Sequence, residues 1–179
     1  LLIIAQLSET DSNVEDLKLN RRKVSSRVNN LNPEISEIKP GTRYKVVVYE
    51  QNEDYVTERD YVYGQEDQSE DLKLPANRTY IFITYSVNDQ NELPEIIFSN
   101  PSVKTLASST LLLNGSDDYM YDKQQINISG NHINHLDIIL KHKFSQITTT
   151  IDASISGYLI TNIEASLSPN WNNVTVALA

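Results

Sequence analysis

Thr79-Tyr80-Ile81-Phe82-Ile83-Thr84-Tyr85-Ser86 decides the fold. The run consists of β-branched and aromatic residues, the side chains that pack best on a pleated surface. Both alternating faces are apolar, Tyr80 and Phe82 on one, Ile81, Ile83 and Tyr85 on the other. A strand of that kind belongs in the middle of a sheet, covered on both sides.

Upstream, Thr42-Arg43-Tyr44-Lys45-Val46-Val47-Val48-Tyr49-Glu50 has the same character. A polar turn at residues 51–54 leads into a second strand over 55–63, carrying Val56, Tyr61, Val62 and Tyr63, so the pair reads as a hairpin. Residues 29–40, with Asn32-Pro33 and Pro40-Gly41, form an irregular lead-in. The acidic stretch 64–71 has no apolar residue and reads as a solvated loop, followed by a short strand Leu72-Lys73-Leu74 that Pro75 stops. Residues 88–94 are a loop.

The rest of the chain repeats the style. Residues 135–152 read as one long strand. Leu136, Ile138, Leu140 and Phe144 share one parity and Ile147, Thr149 and Ile151 the other, which predicts a β-bulge near Ser145-Gln146. Residues 1–5, 158–165 and 174–179 supply further strands, and only 11–19 looks helical. The expectation is one all-β sandwich domain over residues 1–179, with at most one short helix.

Composition narrows the function. The 179 residues carry a formal net charge of −9, with 39% hydrophobic and 22% charged residues and no cysteine. There is no disulfide, thiolate metal site or cysteine nucleophile to consider. Phosphate binding needs clustered cations, so nucleic acid is not an expected partner; the one basic cluster, Arg21-Arg22-Lys23, is short. No run reaches the roughly 18 apolar residues of a membrane-spanning helix.

Chemistry-bearing motifs are sparse. His132, His135 and Asp137 have a metal-like spacing, but His132 and His135 would point to opposite faces of a strand. His142 has core parity and reads as a hydrogen-bonded core or edge histidine. Glu66-Asp67, Glu70-Asp71 and Asp117-Asp118 do not follow a calcium-loop pattern. No nucleophile elbow, Ser/His/Asp motif or phosphate-cradling glycine loop occurs. Neither catalytic activity nor a cofactor is expected. Four N-x-[ST] sequons, at Asn77, Asn114, Asn127 and Asn173, are no more than so asparagine-rich a chain produces by chance. Tyr44, Tyr49, Tyr80 and Tyr85 read as structural strand residues, with a carbohydrate-binding aromatic platform as the alternative.

Some of these residues carry a resemblance. Gly41-Thr42-Arg43-Tyr44-Lys45-Val46-Val47-Val48-Tyr49-Glu50, then Asp54-Tyr55-Val56 and Tyr61-Val62-Tyr63-Gly64, resemble the hairpin of the fimbrillin-like proteins of Bacteroidales bacteria. Leu74-Pro75-Ala76-Asn77-Arg78-Thr79-Tyr80-Ile81-Phe82 through Asn88, with Leu93-Pro94 after it, is similar to the segment that follows in that family. Leu140-Lys141-His142-Lys143-Phe144-Ser145-Gln146-Ile147 matches a later strand more weakly. The chain departs where Asn52-Glu53 replace the usual turn glycine and where Pro75-Ala76-Asn77 replace a glycine-containing turn.

The resemblance implies a transthyretin-like sandwich serving as subunit, tip or anchor of type V pili on the bacterial surface. Its partners would be other pilin subunits through β-strand addition, with host proteins or glycans as further ligands. Anchoring to the outer membrane would use a lipid not carried by this chain. Residues 1–179 then correspond to the N-terminal domain of a two-domain subunit. Maturation by an arginine-directed protease would fall at Arg22 or Arg27, removing a first strand over residues 2–7 and opening a groove; ordinary surface arginines are the alternative. A non-polymerising surface lipoprotein on the same scaffold, binding a host ligand or carbohydrate, is the rival function.

Overall fold

The computed structural model describes residues 38–130, 133–144, 162, 164 and 171–179, with the backbone of two further strands, Ile3–Thr10 and Ile35–Ser36. These two are β1 and β2. They are followed by β3 (Arg43–Glu50), β4 (Tyr55–Val62), β5 (Arg78–Ser86), β6 (Ile96–Phe98), β7 (Ser109–Asn114), β8 (Met120–Ile128), β9 (Asn134–His142) and β10 (Asn173–Ala177). A seven-stranded sheet has the order β2-β1-β9-β8-β5-β3-β4, and a three-stranded sheet the order β10-β7-β6. The only helical elements among the described residues are 3-10 turns at Glu66–Gln68 and Leu106–Ser108. The expected all-β sandwich is the fold.

Its centre is where the sequence places it. β5 lies between β3 and β8, with Phe82 opposite Val48 on one side and Gln124 on the other. Each of its residues from Tyr80 to Ser86 is buried. Ile81, Ile83 and Tyr85 join Val47, Tyr49, Leu106, Leu111, Leu113 and Leu178 in the core between the two sheets. Tyr80 and Phe82 face the other way, with Tyr44, Val46, Leu136, Ile138 and Leu140. Full burial of one such side chain is worth about 1.5–3 kcal/mol, so β5 draws on two cores at once.

The four tyrosines of these strands are core residues, not a platform: Tyr44, Tyr49, Tyr80 and Tyr85 are at most 1% exposed. Each sends its hydroxyl to a partner, as a buried phenol requires. Tyr49 pairs with the Ser109 hydroxyl at 2.8 Å, and Tyr44 donates to Glu66 at 3.3 Å. Tyr80 and Tyr85 donate to the carbonyls of Pro75 and Pro94.

Several expectations are corrected. Leu72 and Leu74 alternate like a strand but form no ladder; they are loop residues inserted into the Tyr80–Phe82 core. The acidic stretch is more than a solvated loop, since Glu66 accepts from the Gly64 amide and the Tyr44 hydroxyl and Glu70 pairs with Arg59. β9 ends at His142 and Phe144 is 38% exposed despite its parity, while residues 145–152 of the expected long strand lie outside the described residues. The expected bulge at 145–146, the strand over 158–165 and the helix over 11–19 lie outside the described residues. Among the described strands pairing is antiparallel except between β1 and β9, which run parallel from Ile3↔Asn134 to Thr10↔Lys141.

β10 docks on β7 from Asn173↔Asn114 to Ala177↔Thr110. Just beyond that ladder the Gly115 amide donates to the Asn172 carbonyl at 2.8 Å. A Cβ on Gly115 would sit 2.1 Å from the Trp171 carbonyl oxygen, so only glycine fits there.

Candidate functional site

A polar cleft of about 450 Å³ opens at the end of the large sheet where β3 finishes, β5 begins and β8 finishes. Glu50, Gln51 and Asn52 come from the end of β3 and its turn, Asn77 from the approach to β5, Arg78 and Thr79 from its first two positions, and Asn127 from β8. The turn residue Glu53 has a φ of +73° and Asn77 one of +59°, the left-handed conformation that glycine adopts most readily and asparagine tolerates. These are the two places where the sequence replaces an expected turn glycine. The Asn77 amide is fixed on the Ile128 carbonyl at 2.6 Å, which ties the start of β5 to the end of β8.

Arg78 Nη1 lies 3.2 Å from Glu50 Oε1, so the charges of the cleft cancel. Asn127 Nδ2 donates to Thr79 Oγ1 at 3.2 Å, leaving its carbonyl oxygen to accept. Asn52 is committed to Asp54, to which its Nδ2 donates at 2.8 Å. The floor is Tyr80, whose ring is 1% exposed, so no aromatic face is offered. The arrangement suits recognition by hydrogen bonds rather than proton transfer or nucleophilic attack.

A second feature is the flank of the same sheet. β8 and β9 share two paired residues, Met120↔His142 and Tyr121↔Lys141. Beyond them the connection passes through side chains. The Gln124 amide donates to the Asp137 carbonyl, and Asn134 both accepts from the Ser129 amide and donates to its carbonyl at 2.9 Å. β1 then lies between β9 and β2, touching the latter through Glu9↔Ser36 and Thr10↔Ile35.

The opposite edge, β4, is closed by charge. Lys45, with 3% of its side chain exposed, lies 3.3 Å from Glu58, 3.4 Å from Asp60 and 3.0 Å from Glu95. Burial alone would lower its pKa, but the Glu95 hydrogen bond and the charges of Glu58 and Asp60 outweigh it and hold the ammonium above its ordinary value. Arg59 pairs with Glu70 at 3.1 Å, and the Ser69 hydroxyl donates to the Asp60 carbonyl. Charges and a covering loop are what blunt an edge strand against further pairing.

The residues singled out from sequence are dispersed. Arg22, Arg27 and His132 lie outside the described residues. His135 and Asp137 are on the exposed face of β9. His142 is 2.6 Å from Asp118, which also accepts from Asn88, so it is the hydrogen-bonded histidine its parity suggested. Asp117 accepts from the Asn114 amide at 2.7 Å. The cleft residues were visible only as two sequon asparagines and two departures from a glycine turn.

No family model matches the sequence, nor does any curated protein. A solved structure of a Bacteroides thetaiotaomicron protein (DUF1812), for which polysaccharide binding has been suggested, is similar at 15% identity and a TM-score of 0.41. The match covers 56% of this chain and 38% of that one, so the chain spans well under half of its neighbour.

Proposed function

We propose that the chain is a non-catalytic component of a bacterial surface fimbrium that joins its neighbours by strand addition at the place β1 occupies. The observation that carries this reading is the position of β1. It is an interior strand of the sheet, yet it is held on its β9 side by a parallel ladder, the slightly weaker geometry per residue. Residues 11–34 join it to β2, and that connection contains Arg21, Arg22 and Arg27. Cleavage at Arg22 or Arg27 frees β1 to leave, and its departure exposes the β9 edge beside the core residues Leu136, Ile138 and Leu140. An unpaired edge next to apolar pockets takes a strand from another chain through main-chain hydrogen bonds and alternate side chains. The hairpin resemblance supports the same reading, which includes surface anchoring by a lipid carried outside this chain.

N-terminal sequencing of subunits recovered from native filaments tests it. Chains starting just after Arg22 or Arg27 are expected; chains that start upstream of Leu7 would rule it out. The second reading, a non-polymerising surface lipoprotein that binds a host ligand or carbohydrate, is favoured by the polar cleft, which uses no residue of β1 or β9. Antibody labelling that is diffuse over the membrane, without filaments, would favour it over the first.

A further inference from the structure

We infer that the cleft among Glu50, Gln51, Asn77, Arg78, Thr79 and Asn127 is a subsite for a neutral sugar of one or two rings. The inference deepens the surface-binding reading by naming its place and ligand class, and it is independent of strand addition.

Charge comes first. The chain carries a net −9, but the only ionised groups lining the cleft, Glu50 and Arg78, neutralise each other at 3.2 Å. A phosphate or nucleotide would need unpaired cations, which the cleft lacks. Apolar ligands are disfavoured too, because the lining is amide, hydroxyl and ion pair, with Tyr80 sealed beneath it.

What remains is a ligand dense in neutral hydroxyls. Each sugar hydroxyl both donates and accepts, and adjacent ones lie side by side. A carboxamide presents an acceptor oxygen and an NH₂ donor in one plane, which matches such a pair. Gln51, Asn77 and Asn127 supply three carboxamides, and neither Gln51 nor Asn77 spends its side chain on a hydrogen bond among the described residues. The guanidinium of Arg78, half-exposed and steadied by Glu50, adds further donors.

The frame is preorganised. The left-handed backbone of Asn77, pinned to Ile128, and the Asn127–Thr79 hydrogen bond hold the Asn77 backbone and the Asn127 carboxamide in place before any ligand arrives, which lowers that part of the ordering cost of binding. A volume of about 450 Å³ lies in the ordinary range of small-molecule sites.

The test is a titration of the isotope-labelled protein with glucose, galactose, mannose, lactose and maltose, followed by amide NMR. At least one sugar is expected to bind with a Kd on the order of 1 mM, the weak end of specific recognition. Its shifts should concentrate at residues 50–52, 77–79 and 127 and at the side-chain NH₂ signals of Gln51, Asn77 and Asn127. Gln51→Ala, at an exposed position, and Asn127→Ala should each weaken binding by about tenfold, the loss of one well-made hydrogen bond or two. The remaining spectrum shows that each variant is folded. No saturable shift, shifts elsewhere, or tighter binding of sialic acid or inorganic phosphate than of any neutral sugar would overturn the assignment. Binding of the protein to mucin before and after enzymatic deglycosylation separates the two levels. Loss on deglycosylation supports the sugar subsite; equal binding sinks the subsite and leaves surface binding standing. No binding to either, together with no saturable sugar shift, sinks both.

Discussion

β5 and β9 are each nine residues long and each buries its inward side chains, but they are held in different ways. β5 is laddered to β8 from Arg78↔Ile128 to Ser86↔Met120, and to β3 on its other side. β9 has two ladder pairs with β8, a few side-chain bridges, and a parallel strand beyond. β5 buries apolar side chains on both faces and β9 on one, and the backbone sharpens that contrast. The centre is held by hydrogen bonds that a neighbour cannot replace without unfolding it. The flank relies on contacts that an incoming strand could reproduce.

The largest expected effect breaks the centre by titration. Burial pushes the Tyr49 hydroxyl up to about 12, and burial together with the nearby Glu58 does the same for Tyr55; Tyr44 and Tyr85 are raised further by burial and adjacent carboxylates. In the unfolded chain these phenols ionise near 10.0, so ionisation stabilises the unfolded state from that pH upward, before it can do the same for the folded state. Lys45 acts with the same sign. Its raised pKa gives stability that is complete below the ordinary 10.5 and is lost as pH rises through the folded value. Stability should therefore be level through neutral pH and fall steeply above about pH 10, with tyrosinate absorbance at 295 nm appearing together with loss of β-sheet circular dichroism. Gradual tyrosine ionisation with the fold intact would contradict this account.

Phe82→Ala is the next largest. It empties a fully buried position and should cost about 3–5 kcal/mol in urea unfolding. Lys45→Met leaves three carboxylates without their cation. Because Asp60 and Glu95 reach solvent, the loss should be about 1–3 kcal/mol and not the full cost of orphaning a buried ion. Gln124→Ala sharpens the comparison instead of breaking it. Global stability should change by about 0.5–1.5 kcal/mol, while amide hydrogen exchange speeds up along β9 and stays slow along β5. Equal acceleration in both strands would show that the flank and the centre open as one unit. The smallest effect is a gain. Glu53→Gly relieves a left-handed backbone at the β3–β4 turn and should stabilise by about 0.5 kcal/mol, since the strain of about 1–2 kcal/mol is partly offset by glycine's larger unfolded-state entropy.

The same contrast governs what could be read from the amino-acid order. β3, β4 and β5 are legible because their alternation or two-sided burial is local and uninterrupted. β6, β7 and β8 escape notice for different reasons. β6 is three residues long, and β7 alternates leucines with an exposed Leu112. β8 carries Asp122, Lys123, Gln124 and Gln125 in its middle, and its register comes from β5. Leu72 and Leu74 mislead because a loop that drops two side chains into a core has the same alternation as a strand. The cleft is illegible for a deeper reason. Its amides come from three separated segments, and each is unremarkable until the ends of β3, β5 and β8 meet.

Gly115 works as an index mark for the last strand. Any side chain there would collide with the Trp171 carbonyl and displace the Asn172 hydrogen bond next to the first β7–β10 pair. A ladder displaced by one residue turns Val174 and Val176 out to solvent and Thr175 into the core, because side chains alternate along a strand. The absence of one carbon atom thus sets which side of the final strand is inside, a decision that the polar residues around it do not encode.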